Sequence, residues 1–374
     1  MTSAFFLPFV SLWATRDIGM SSERLGTFMT VYALCAIVIT QLIARWSDRG
    51  VPRRTLLLIG SSAGVLAHLG FALVRDPLAL LLIASSALAL ASINFAQLFA
   101  HVREHVEYTE RAAAAVPLLM GISRASYALA WTVGPLLAGW LVSRFGYPTI
   151  NLAAAAFFIV FAGGVIRFVS RAGRVAEATE SNAAPTQTFI HGLGQPVVLA
   201  HALAFALMFA AITIKGLNLP LFLMGKLGAT EKGVGAAFAV SPLFEILFMV
   251  GFGHLAALGH QRRVMMAGAA AAVVYFAVLP FVTAAWHVYS LQVLSAAAGA
   301  VTTSVAIPYF QDLLPGQPGV ATSLYSNALK AGSLLGSSAF GLLASYLGNA
   351  YLFWVCAGFA LITLAVVTFA RQRR

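Results

Sequence analysis

The sequence predicts an all-α integral membrane protein with twelve membrane-spanning helices in two lobes of six. Of its 374 residues 60% are hydrophobic and only 9% are charged, and the mean hydropathy is +0.88. About a quarter of the residues of a soluble domain are charged. The apolar residues form long runs, and about 20 consecutive apolar residues are what an α-helix needs to cross a bilayer.

Eleven apolar stretches have the length of a membrane helix, and a shorter one precedes them. The short stretch runs from Ala4 to Ala14 and stops before Arg16 and Asp17. We expect the N-terminal half of this first helix to be missing from the sequence. The other predicted spans cover residues 24–45, 55–74, 78–101, 113–141, 147–168, 196–224, 233–258, 264–284, 288–311, 319–346 and 350–370.

One polar segment divides the predicted spans into two sets of six. Residues 171–188 are rich in Ser, Ala and Pro, which is typical of a linker. We therefore predict an N-terminal lobe over residues 1–170, a cytoplasmic linker over 171–194 and a C-terminal lobe over 195–374. Of the 23 Lys and Arg residues, 14 fall in loops on the linker side and 6 on the other side. Because basic loops stay in the cytoplasm, we expect both termini to be cytoplasmic in a protein of the inner membrane.

The two predicted lobes also repeat each other in sequence. The segment ARWSDRGVPRR (44–54) follows span two, and GHLAALGHQRR (253–263) follows span eight. Near the ends of spans five and eleven, three glycines recur at one common offset: Gly134 with Gly336, Gly139 with Gly341 and Gly146 with Gly348. Two parallel six-helix repeats indicate a carrier whose lobes rock against each other.

Four charged residues lie well inside the predicted spans, away from their ends. They are Arg124 on span five, Lys215 on span seven, Glu245 on span eight and Lys330 on span eleven. A charge at membrane depth is costly, so each should face a cavity or a partner. Burial and a nearby cation act in opposite directions on the pKa of a carboxyl group, so the lone glutamate can titrate near neutral pH, as proton coupling requires. The alternative is a static ion pair that only fixes helix packing, or, for the arginine, a side chain that snorkels to the interface.

Uncharged polar and aromatic side chains in the spans are candidates for a substrate cavity. Amides offer donors and acceptors to the polar groups of a small solute, and aromatic rings can stack on its apolar faces. For each of them, hydrogen bonding between helices is an equally good explanation. The candidates are Asn94, Gln97, Tyr127, Trp131, Asn218, Gln292, Tyr325 and Asn327, together with the cations Lys215 and Lys330.

The loop after span two resembles the signature G-x-x-x-D-R-x-G-R-[RK] of the major facilitator superfamily. Asp48, Arg49 and Arg53 occupy the expected places, whereas Ala44 and Val51 replace its glycines. The resemblance implies a cytoplasmic gate, in which an aspartate can cap a helix and pair with arginines. The aspartate has no counterpart in the second half, so we expect a one-sided lock. The simpler alternative is an ordinary basic loop.

Span five looks like the exporters' signature G-x-x-x-G-P-x-x-G-G of that superfamily, with Gly134, Pro135 and Gly139 on it and Ala130 and Ala138 at two glycine places. Proline removes a backbone hydrogen bond and kinks a helix, and small residues let another helix approach closely. The resemblance favours export over uptake and assigns the three matching residues to a helix bend.

A resemblance to the bacterial sugar efflux transporters, the SET family, covers nearly the whole chain. It rests on AQLFAHVREH (96–105), SRASYALAWTVGP (123–135) and above all PYFQDLLPGQPGVATSLYSN (308–327). In that family an arginine and a glutamate stand where Arg124 and Glu245 stand here. The resemblance implies proton-linked export of sugars, glycosides or similar solutes.

Other classes of function lack their motifs. There is no GxxxxGK[ST] sequence, no nucleophile–base set and no Cys/His metal spacing, so we expect neither an enzyme nor a cofactor or metal site. His101, Glu104 and His105 have metal-like spacing but fit a solvated loop better. The net charge of +11 reflects cytoplasmic loops rather than nucleic-acid binding. The expected partners are a small sugar or glycoside, protons and the lipid bilayer, and the expected state is a monomer. A multidrug exporter of the same fold and a membrane receptor built on an inactive transporter are the alternatives.

Overall fold

The computed structural model describes residues 1–48, 50–108, 116–169 and 195–370, with side chains described there except at 47–48, 102–108 and 116–125. The predicted linker therefore lies outside the described residues. The described chain is helical, with short turns between helices and no strand. Nine of its helices are long and apolar enough to cross a membrane.

The first half contains helices α1 to α6. The short first helix, α1, is an irregular run of α, 3₁₀ and π turns over residues 2–17. Helix α4 begins at Pro77, and Asp76 is its N-cap. The Oδ2 of Asp76 accepts a hydrogen bond of 2.7 Å from the backbone N–H of Ala79. The other helices of this half are α2 (Ser22–Asp48), α3 (Arg53–Leu73), α4 (residues 77–108, with a π turn at Ala84–Leu88), α5 (Val116–Phe145) and α6 (Pro148–Phe168).

The second half contains α7 to α12. Two long helical runs, Glu231–Phe281 and Pro318–Phe369, are each divided by a glycine with a left-handed backbone, Gly259 (φ 83°) and Gly348 (φ 71°). With these divisions the nine candidate spans become eleven helices, and α1 is the twelfth. The helices are α7 (Pro196–Gly225), α8 (Glu231–Leu255), α9 (Gln261–Val278), α10 (residues 285–313, with a π turn at Val301–Val305), α11 (residues 318–347) and α12 (residues 349–369).

Matching turns support the internal repeat. Glycines with a left-handed backbone conformation lie in corresponding turns of the two halves, because only glycine adopts that conformation without strain. The pairs are Gly19 with Gly228, Gly50 with Gly259, and Gly146 with Gly348. The fourth helix of each half, α4 and α10, also carries a π turn. The prediction of twelve helices with a repeated order is therefore confirmed.

The chain divides into two compact units. Unit 1 comprises Met1–Met20 and Phe28–Thr179, and unit 2 comprises Ser21–Thr27 and Glu180–Arg374. In unit 1 the rings of Phe6 and Phe71 contact the buried ring of His68, and both also contact Trp13. In unit 2 the corresponding core contains Phe205, Tyr309 and Phe310.

Close helix contacts explain one of the glycine pairs of spans five and eleven, Gly134 with Gly336. A Cβ added at Gly134 on α5 would lie 2.7 Å from the Cβ of Ala4 on α1. A Cβ added at Gly336 on α11 would lie 2.6 Å from the carbonyl oxygen of Ala210 on α7. In each unit, therefore, the fifth helix packs on the first through a residue that must lack a side chain. Helix α5 continues through Pro135, and the role of Gly134, Pro135 and Gly139 as a bend stays a prediction.

Candidate functional site

The carboxyl group of Glu245 lies on α8 against the π turn of α10. Its Oε1 accepts a hydrogen bond of 3.1 Å from the hydroxyl of Thr303. The side chain also lies against Gly299, where an added Cβ would be 3.2 Å from the carboxyl carbon. The Glu245 side chain is half-buried. The predicted acid therefore has a hydroxyl partner on a neighbouring helix of its own unit.

Lys215 on α7 forms the second part of this site. Its Nζ donates a hydrogen bond of 2.6 Å to the hydroxyl of Ser295 on α10 and lies 5.6 Å from the centre of the Tyr275 ring on α9. The ammonium group also interacts electrostatically with Glu245. A hydroxyl and an aromatic face are suitable partners for a cation away from water. Three helices thus hold the lysine within electrostatic reach of the carboxyl group.

Gln292 joins this cluster through Tyr275. Its Nε2 donates a hydrogen bond of 3.3 Å to the Tyr275 hydroxyl, and its buried Oε1 has no partner among the described residues. Gln292 is 1% exposed. Its amide therefore orients the ring under the lysine. We name Lys215, Glu245, Tyr275, Gln292, Ser295 and Thr303 the C-lobe polar cluster.

The remaining predicted residues of unit 2 lie on α7 and α11. Asn218 is buried and donates a hydrogen bond of 2.7 Å to the carbonyl of Asn349, which ties α7 to the start of α12. Tyr325 donates a hydrogen bond of 2.8 Å to the carbonyl of Thr302, inside the π turn of α10. On the same helix Asn327 is exposed and Lys330 is half-buried. Asn218 and Tyr325 thus make interhelical bonds, whereas Asn327 is open to a ligand.

In unit 1 two predicted cavity residues pack between helices. The amide of Asn94 on α4 lies 3.2 Å from the hydroxyl oxygen of Ser61 on α3, and Asn94 is 8% exposed. Gln97 accepts a hydrogen bond of 2.9 Å from the guanidinium of Arg53 at the start of α3. These contacts favour the alternative of helix packing for both amides. They also bring a predicted gate residue together with a predicted cavity residue.

The predicted aromatic residues form an open surface. The rings of Tyr127 and Trp131 on α5 have centres 6.3 Å apart, and Phe95 on α4 lies 5.5 Å from Tyr127. Tyr127 is 45% exposed. The backbone of Arg124 lies one turn earlier on the same helix, but its side chain is outside the described part of the chain.

The basic loops of the two halves make equivalent contacts within their own units. Arg54 donates a hydrogen bond of 3.0 Å to the carbonyl of Ile166 in the last turn of α6. The Nε of Arg262 donates a hydrogen bond of 2.9 Å to the carbonyl of Val367, and its Nη2 donates another to the carbonyl of Thr368. Both carbonyls lie in the last turn of α12. The last carbonyls of a helix lack partners within that helix and attract cations. The side chain of Asp48 and all of Arg49 lie outside the described residues, so the one-sided lock stays a prediction.

Several polar pairs of the structure were not among the predicted site residues. His68 and Asn151 share a hydrogen bond of 3.0 Å in unit 1, and His201 lies 2.9 Å from the Tyr309 hydroxyl in unit 2. His68 borders a cavity of about 90 Å³ that is mostly apolar. For each of these pairs, the sequence offered one signal, which is a polar residue within an apolar span. Among the described residues no group of three His, Cys, Asp or Glu could hold a metal ion. The side chains of Glu104 and His105 lie outside that set.

Comparison with known proteins defines the class. The family model of the Major Facilitator Superfamily matches residues 1–215 and 201–374. The solved structure of the nucleoside transporter NupG has the same fold, with a TM-score of 0.81, 13% identity and coverage of 100% of this chain and 96% of that chain. The chain is a multi-pass membrane transporter rather than an enzyme, and it belongs to the major facilitator superfamily.

Curated relatives narrow the comparison. Sugar efflux transporter A of Dickeya chrysanthemi is 30% identical over 92% of this chain and 86% of that protein. Sugar efflux transporter A of Escherichia coli strain K12 is 28% identical over 97% of this chain and 91% of that protein. The resemblance to sugar efflux transporters predicted from the sequence is therefore confirmed across nearly the whole chain.

Proposed function

We propose that the protein exports sugars or sugar-like small solutes across the inner membrane by proton antiport with alternating access. The names of its relatives support the substrate class. The observation that carries the proton coupling is the position of Glu245: a half-buried carboxyl group on a membrane helix, with a hydroxyl donor on a neighbouring helix and a lysine within electrostatic reach. The positive charge of the linker-side loops supports an orientation with both termini in the cytoplasm.

Charge compensation in the C-lobe polar cluster supplies a coupling mechanism. When Glu245 is ionised, its charge is balanced by Lys215 and by the Thr303 hydroxyl. When Glu245 takes a proton, that balance is lost and Lys215 becomes free to donate to a substrate oxygen. We propose that Arg124 takes part in the same exchange. By reciprocity, if a proton changes the affinity for sugar, sugar changes the affinity of the carboxyl group for a proton by the same free energy.

Substrate contacts follow from exposure. We propose that Tyr127 and Trp131 in unit 1 offer aromatic faces to a sugar, and that Asn327 and Lys330 in unit 2 offer polar groups to sugar hydroxyls. The remaining candidates then act indirectly, by holding in place the helices that carry these groups. They are Asn94, Gln97, Asn218, Gln292 and Tyr325.

Uptake into inverted membrane vesicles tests this function. Vesicles with an acid interior should accumulate labelled mono- and disaccharides or glycosides when the protein is present, and collapse of the pH gradient should abolish the accumulation. Accumulation of lipophilic drugs but of no sugar would show instead the multidrug exporter, whose span-five signature the sequence also fits. Binding of sugar without any accumulation would favour the receptor alternative.

A further inference from the structure

Thr303 occupies an unusual place on α10. It belongs to the π turn Val301–Val305, where the helix widens, and such turns often occur at functional sites. Its hydroxyl lies within hydrogen-bond distance of three acceptors: 3.1 Å from Glu245 Oε1, 2.9 Å from the carbonyl oxygen of Gly299 and 3.4 Å from that of Ala300. The side chain is exposed, so it does not fill the core.

A hydroxyl group has one proton to donate and lone pairs to accept with. An ionised carboxylate can only accept, so the Thr303 proton must point at Glu245 for this contact to be favourable. A protonated carboxyl group can donate instead. The Thr303 oxygen then accepts from Glu245, and its own proton turns to the carbonyl of Gly299 at 2.9 Å.

The residues around Glu245 and Thr303 favour the hydrogen bond between them. Gly299 leaves room for the carboxyl group of Glu245. A Cβ added at Gly299 would lie 3.2 Å from the carboxyl carbon of Glu245 and 3.2 Å from its Oε2. Among the described side chains, Lys215 on α7 is the charged group within electrostatic reach of Glu245. The preceding residue of the π turn, Thr302, accepts a hydrogen bond from the Tyr325 hydroxyl on its carbonyl, which connects the turn to α11.

We infer that Thr303 is a positioning residue for proton coupling, whose hydroxyl holds the ionised carboxylate of Glu245 and turns to the α10 backbone when that carboxyl group is protonated. This inference rests on the proposed function. It adds an uncharged residue to the coupling site. It also predicts that protonation of Glu245 changes the hydrogen bonds within one turn of α10.

Thr302 provides a matched control. It is the neighbouring threonine of the same π turn, but its hydroxyl donates only to its own helix, to the carbonyls of Ala298 at 3.2 Å and Gly299 at 2.9 Å. Thr302→Val and Thr303→Val remove the same atom from adjacent positions. Thr303→Ser keeps the hydroxyl, and so should restore what valine loses.

Infrared difference spectroscopy of the purified full-length protein between acid and alkaline pH tests the inference with protons alone. The carboxyl band of Glu245 is identified by its absence in Glu245→Gln. The hydrogen bond to the ionised carboxylate is charge-assisted and therefore stronger than the neutral bond that the protonated carboxyl group makes to Thr303. Removal of the hydroxyl thus disfavours the ionised form more, and Thr303→Val should move the titration midpoint of this band to higher pH by about one unit. Thr303→Ser and Thr302→Val should titrate as the wild type does.

The outcomes separate the two proposals. A Glu245 band that titrates equally in wild type and Thr303→Val overturns the role of Thr303 and leaves proton coupling intact. An equal shift in Thr302→Val also overturns it, because a general change of the turn would then be the cause. A wild-type protein without a titrating Glu245 band overturns the proposed proton coupling itself.

Discussion

Alanine at Gly336 on α11 would force this helix away from α7, which carries one residue of the C-lobe polar cluster. Helix α7 holds Lys215, and α11 holds Tyr325. The added Cβ would lie 2.6 Å from the carbonyl oxygen of Ala210 and 2.7 Å from the Cβ of Thr213. Ordinary contact begins at 3.4 Å, so the helices must move apart by about 0.8 Å, the difference between 3.4 and 2.6 Å.

Neither neighbouring atom is the end of a flexible side chain, so this strain cannot be relieved by a rotamer change. Overpacking of this kind costs about 1–3 kcal/mol. For a unit of this size that lowers the melting temperature by about 2–4 °C per kcal/mol. The assay is the thermal melting of the detergent-purified protein, followed by the loss of its near-ultraviolet circular dichroism.

Gly358→Ala on α12 is the matched control, since no atom lies within 4 Å of the position of its Cβ. There the same substitution should leave the melting temperature unchanged or raise it, because alanine is the better helix former by about 1 kcal/mol. A Gly336→Ala protein that melts with the wild type, or a fall of equal size in both variants, would refute the close packing of α7 and α11.

Two further substitutions test contacts of unit 2. Arg262→Ala should lower the free energy of unfolding by about 1–3 kcal/mol, because the last carbonyls of α12 lose their charged donor; Arg263→Ala is the neighbouring control in the same melting assay, and an equal effect would argue against the contact. Tyr275→Phe should lower it by about 1–3 kcal/mol, because the buried amide of Gln292 loses its remaining partner. The double variant Tyr275→Phe with Gln292→Leu should recover part of that loss, and a purely additive loss would contradict the pairing.

The fold could be predicted because membrane helices are decided by composition and length. The span predicted at residues 147–168 is the helix Pro148–Phe168, and the one predicted at 55–74 is Arg53–Leu73. Proline marks the start of both helices, as the first residue Pro148 of one and as the N-cap Pro52 of the other, because its fixed backbone angle suits a helix start. The paired glycines of spans five and eleven also indicated the repeat, and the structure shows that one pair, Gly134 and Gly336, lies in close contact with α1 and α7.

The candidate site could be predicted only in part. Glu245 and Lys215 stand out in the sequence because charges are rare in apolar spans. Thr303 does not, because serine and threonine in a membrane helix usually bond to their own backbone, as Thr302 does. Which of two adjacent threonines meets a carboxylate depends on the packing of α10 against α8. For the same reason the sequence could not distinguish the interhelical amide of Asn94 from a ligand contact.

Proton-driven accumulation by the Glu245→Gln variant is the most direct test of the proposed antiport. In proteoliposomes loaded with an acid interior, the wild type should accumulate an exported sugar until the pH gradient is dissipated. Glu245→Gln should still exchange labelled for unlabelled sugar but should no longer accumulate it, and its exchange should lose its dependence on pH. Glu231→Gln, the same change in the first turn of the same helix, should behave as the wild type. Accumulation by Glu245→Gln at the wild-type level would contradict the assignment of Glu245 as the coupling group.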